Sequence, residues 1–140
     1  DWNVDSDVWS VTSANELFRE AKDCERWNTL HPDQPARTPY ITAALESYEG
    51  PRVIATDYIH SHSEQLRRFI PGTYKVLGTD GFGRSDTRPK LREFFEVDSR
   101  YVVVNALSAL LEEGKVEASR VTEAIRKYGI DPDKPNPSSV

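Results

Sequence analysis

The 140-residue sequence predicts an α/β fold, a three-layer α/β/α sandwich built on a mostly parallel sheet. Three observations point there. Tyr74-Lys75-Val76-Leu77 has strand composition and runs into a loop with three glycines in six positions, Gly78, Gly81 and Gly83. That loop leaves through Ser85, Asp86 and Thr87, good N-cap residues, into the helical pattern Lys90 to Phe95. Val53-Ile54-Ala55-Thr56 is a continuous apolar run of the kind a parallel strand covered on both faces requires.

Taken in order, Asp1 to Asp7 reads as a helix end and a turn, and Val8 to Thr12 as a strand. Ser13 and Glu16 have capping-box spacing, opening a helix with Leu17, Ala21 and Cys24 on one face. The pattern continues through Asn28 until His31-Pro32 breaks it. Pro32 to Pro39 is a loop, Tyr40 to Ser47 a short helix ended by Gly50-Pro51, and Ser63 to Ile70 a helix closed by Pro71-Gly72. After the glycine loop, Asp98 is an N-cap. Tyr101 to Val104 has strand propensity, yet Val103, Leu107 and Leu110 recur at helical spacing and Gly114 stands at the C′ position, so Ser99 to Glu113 is predicted helical. Glu117 to Tyr128 is the last helix, with Gly129-Ile130 as a Schellman ending. These elements make one domain over residues 1–130, and Asp131 to Val140, with three prolines, reads as a polar tail. Only three strands are evident, a small sheet for so many helices.

Composition narrows the function classes. A net charge of −5 argues against nucleic acid, whose backbone is recognised by a basic face. Mean hydropathy is −0.64, and no apolar run approaches the ~20 residues of a membrane span. Cys24 is the single cysteine, which fits a reducing compartment and a cytoplasmic location, and its place on the apolar helix face suits a small core residue. His60 and His62 lie about 200° apart on a helix and would share a metal only on a strand; loop or solvated roles are expected for both, and packing or capping for His31. No nucleophile elbow accompanies the scattered Ser, His and Asp residues.

The glycine loop is the candidate site: Asp80, Phe82, Gly83, Arg84, Ser85 and Asp86. Its glycines run G-x-x-G-x-G and no G-K-[ST] follows, so it lacks both dinucleotide and P-loop spacing, and Asp80 and Asp86 would repel an anion. Two readings remain open, a capped structural turn and a contact surface for a neighbouring domain or subunit through Arg84 and the two aspartates. A free-standing α/β binding module, taking a small anion or a protein partner at Gly81 to Asp86, is the alternative function class.

Several strings carry a family resemblance. They are Asp7-Val8-Trp9-Ser10-Val11-Thr12-Ser13, Asp23-Cys24-Glu25-Arg26-Trp27-Asn28 with Leu30-His31-Pro32, and Ala55-Thr56-Asp57-Tyr58. The run Val76 to Asp86, Phe95-Glu96-Val97-Asp98, Tyr101 to Val104 and Ile130 to Pro137 complete them. In this order and spacing the chain resembles the C-terminal domain of the homodimeric pyruvate dehydrogenase decarboxylating components, of the transketolase-like, thiamine diphosphate-dependent enzymes. The resemblance implies a fragment beginning near the end of the domain's first helix, with the first strand and most of that helix absent. It implies a parent enzyme that decarboxylates pyruvate on thiamine diphosphate and passes the two-carbon unit to a lipoyl-bearing dihydrolipoyl acetyltransferase. Thiamine diphosphate and Mg²⁺ would be held by other domains of the enzyme, with no catalytic residue here. This domain would support the homodimer.

Overall fold

The computed structural model describes residues 2–140, and Asp1 lies outside them. The elements are α1 (Ala14–Leu30), α2 (Tyr40–Leu45), β1 (Arg52–Ala55), α3 (His60–Glu64), β2 (Tyr74–Leu77), α4 (Arg88–Phe94), α5 (Ser99–Glu112) and α6 (Ala118–Lys127). Two 3-10 turns, Arg67–Phe69 and Pro137–Ser139, complete the chain.

β1 and β2 form a parallel pair, with Arg52 opposite Tyr74 and Ala55 opposite Leu77. Successive side chains of β2 point to opposite faces, and each face meets a helical segment. The Tyr74 hydroxyl donates to the Ser63 carbonyl at 3.1 Å on the α3 side, whereas the Lys75 ammonium pairs with Glu112 of α5. The pair of strands is thus layered between α3 and α5, as the α/β expectation requires.

Two apolar clusters flank this layer. Ala21 of α1 meets Ile41 and Leu45 of α2 and Phe69, with Leu17 and Phe18 alongside. Leu107 of α5 meets Ala124 of α6 and Trp2, with Val103, Leu110, Val121 and Tyr128 around them. Each large side chain fully buried here contributes roughly 1.5–3 kcal/mol. Tyr101 to Val104 lies inside α5, because Asp98 accepts from the Arg100 and Tyr101 N–H groups and starts the helix ahead of the β-branched run. Both expected glycine endings are present: Lys115 N–H bonds the Leu110 carbonyl past Gly114, and Ile130 N–H the Ile125 carbonyl past Gly129.

Four expectations need correction. Val8 to Thr12 is not a strand: no backbone among the described residues pairs with it, Val8 is 94% exposed, and Trp9 lies edge-on to Tyr48. Strand propensity without a partner ladder does not make a strand. Residues 2–7 form no helix end; Trp2 is buried against α5 and α6, and the segment continues irregularly. The helix expected from Ser63 to Ile70 starts instead at His60 and passes into the 3-10 turn before Pro71, which keeps Ile70 extended. The capping box is half made. Ser13 accepts the Glu16 N–H at 3.2 Å, but the Glu16 carboxylate pairs with Arg19.

Candidate functional site

The carboxyl ends of β1 and β2 deliver two adjacent loops, residues 56–59 and 78–87, the usual place for a site in a parallel sheet. The loops are laced together. Thr79 N–H donates to the Tyr58 carbonyl at 2.9 Å, and the Thr79 hydroxyl to the Asp57 carbonyl at 2.7 Å. Gly78 permits the approach: a Cβ there would sit 2.7 Å from the His60 nitrogen and 2.9 Å from the Tyr58 oxygen.

Asp80 faces its own chain. One carboxylate oxygen accepts the His60 N–H at 3.0 Å, capping α3 from another loop, and the other lies 2.7 Å from His60 Nδ1. Nδ1 is buried and this approach lacks hydrogen-bond geometry, so the bond to the backbone N–H is the one that caps the helix. Asp86 Oδ1 accepts the N–H of Thr87 at 2.6 Å. Arg84 places its guanidinium over the Phe94 ring, 4.2 Å from its centroid. Asp57 draws Arg92 to 3.4 Å and Arg88 to 3.9 Å, tying α4 to the β1 loop. Residues 81–90 remain exposed, Phe82 at 82%, with Tyr58 at 65% and Ile59 at 55% on the neighbouring loop.

The six candidate residues therefore share one loop but divide in role. Asp80, Arg84 and Asp86 make contacts within the chain, while Phe82, Gly83 and Ser85 form an open rim. Asp57, Tyr58, Phe94 and Lys134 also belong to the site. Sequence reasoning missed their roles because each acts through tertiary contact; the separation of 40 positions between Phe94 and Lys134 hides that pair from any local pattern.

The other candidates lie apart from one another. His62 stacks on Tyr58, with centroids 4.5 Å apart. His31 stacks on Trp27, with Nδ1 2.8 Å from the Trp27 carbonyl, a packing and capping role. Cys24 is buried; burial, reinforced by Glu20, pushes its thiol up, which disfavours the thiolate form.

Nothing in the loop fits a diphosphate–metal group. Among the described residues no three His, Cys, Asp or Glu side chains converge on a metal position, and the carboxylates nearest the loop glycines would repel phosphate. No helix of the described residues is long and apolar enough to cross a membrane.

Comparison with known proteins agrees with this architecture. The family described as "Transketolase-like TK C-terminal domain" matches residues 1–98. The chain is 53% identical over 140 residues to the pyruvate dehydrogenase E1 component of Cupriavidus necator, covering all of this chain and 16% of that protein. It is 53% identical over 138 residues to the protein of that name from Pseudomonas aeruginosa and 51% over 138 residues to that of Escherichia coli K12, each match covering 98% of this chain. These two matches cover 16% and 15% of the relatives, so the chain spans about a sixth of their length.

Proposed function

The chain belongs to the family of transketolase-like C-terminal domains, and from that premise we propose that it serves as the C-terminal domain of a pyruvate dehydrogenase (acetyl-transferring) component. The observation that carries this reading is the identity of about half of all positions, sustained along the whole chain, with E1 components. The enzyme would decarboxylate pyruvate with thiamine diphosphate and Mg²⁺ and reductively acetylate a lipoyl group of dihydrolipoyl acetyltransferase, in a cytoplasmic complex. Both cofactors would sit in other domains of the enzyme.

The role of this domain would be support of the homodimer and of the domain packing around it. The glycine loop suits that task. Its inner residues are anchored to the chain, and its rim, with Phe82 and neighbouring Tyr58 and Ile59, presents apolar surface on a held backbone. Arg84→Ala in the full-length enzyme should weaken subunit association and leave thiamine diphosphate affinity unchanged. Unaltered association on dilution would remove the loop from the interface.

A further inference from the structure

The last ten residues read as a tail in the sequence, yet Pro137 is buried. Local turns order the segment. Asp131 Oδ1 accepts the Asp133 N–H at 2.9 Å, and Asn136 Oδ1 accepts the N–H and hydroxyl of Ser138 at 2.9 and 2.7 Å. Two attachments then hold it to the domain.

The first is Lys134. Its ammonium donates to the Phe94 carbonyl at 2.7 Å, the Glu93 carbonyl at 3.4 Å and Glu96 Oε1 at 3.2 Å, one acceptor for each N–H. The two carbonyls belong to the open C-terminal end of α4, where positive charge is favoured. Glu96 is the C′ residue of α4 with φ of +62°, a left-handed position where glycine is usual. Lys134 also lies 5.4 Å from the centroid of the Phe94 ring over which Arg84 is placed.

The second attachment is at Gly81. This glycine has φ of +106°, and a Cβ on it would sit 2.6 Å from the Pro137 carbonyl oxygen and 3.2 Å from Ser138 Cα. The loop and the tail thus touch backbone to backbone. Gly81, Arg84, Phe94, Lys134 and Pro137 close a ring of contacts through three separate segments.

We infer that Asp131–Val140 is a strap that positions the glycine loop, with Lys134 as its anchor and Gly81 as its seat. The surface offered to the rest of the enzyme is then a composite of loop and tail. That last step rests on the interface reading above; the strap itself does not.

The test uses the full-length enzyme, with Lys134→Met removing the ammonium while keeping the stem. Hydrogen exchange is read at Thr79, on the loop, and at Phe95 and Val97, in the α4 cap. Subunit association is read by dilution. The strap requires severalfold faster exchange at Thr79 as well as at the cap. Faster exchange confined to Phe95 and Val97 would reduce Lys134 to a helix cap and overturn the strap. If Thr79 exchange rises but association is unchanged, the strap stands and the interface reading fails. If Arg84→Ala weakens association while Lys134→Met leaves Thr79 unchanged, the interface stands and the strap falls. Should Lys134→Met fail to fold, Gly81→Ala and a chain ending at Lys134 break the other attachment and are judged by the same Thr79 readout.

Discussion

Asp80 accepts the His60 backbone N–H at 3.0 Å through one carboxylate oxygen, with the other 2.7 Å from the ring Nδ1, and so fastens the glycine loop to the first turn of α3. The N-cap position of α3 is Ile59, whose side chain cannot cap, and Asp80 does so across 20 residues. Asp80→Ala should cost about 1 kcal/mol, held to that size because both side chains are partly exposed. Asp80→Asn, which keeps an acceptor for the N–H, should recover part of it. Denaturant unfolding and hydrogen exchange at the His60 amide measure both effects.

The loop glycines are not equivalent. Gly78→Ala would force a Cβ onto the backbone of residues 58–60, which has no flexible end to give way, and should destabilise by about 1–3 kcal/mol. At Gly83 the backbone needs no positive φ and nothing lies within 4 Å, so Gly83→Ala should stay within about 0.5 kcal/mol of wild type. Equal losses in the two variants, measured by thermal unfolding, would refute this division.

Asp98 makes acid sensitivity local to the start of α5. Burial opposes its ionisation, but the Arg100 guanidinium and the Tyr101 and Arg100 N–H groups outweigh it and hold the carboxyl below the usual range. A depressed folded value means the stabilisation is complete above the unfolded pKa of about 3.9 and is lost as pH falls through the folded value. Asp98→Asn retains a capping acceptor but not the charge. Its stability should fall less steeply than that of wild type below about pH 4, as read from unfolding midpoints across that range.

Trp2 tests the second apolar cluster. Its indole N–H donates to the Tyr128 hydroxyl at 2.8 Å, with the rings edge-on at 6.2 Å, and the Trp2 carbonyl accepts from Arg120. Tyr128→Phe leaves that N–H without its acceptor and should cost about 1 kcal/mol, with a shift in tryptophan emission. An unchanged spectrum and stability would contradict the contact.

Patterns complete within a few residues were legible in the sequence. The Asp98 cap, the glycine endings at 114 and 129 and the apolar spacing of Val103, Leu107 and Leu110 place α5 and α6 without reference to anything distant. The glycine loop was legible as a strand-to-helix connection for the same reason. Val8 to Thr12 failed because pairing is decided by a neighbour, not by Val and Trp themselves. The strap was invisible because Lys134 reads as one more charge in a proline-rich segment, and only folding brings it to the end of α4. Asp80 was found by its position in the loop, but its attachment to His60 was not, since nothing at residues 57–60 signals a distant cap.

Native mass spectrometry of the protein purified from its source tests the central proposal most directly. An assembly far above 15.9 kDa that releases thiamine diphosphate on denaturation is the result expected of a domain within a pyruvate dehydrogenase component. A lone folded species of 15.9 kDa that releases no cofactor would contradict it and leave an independent binding module.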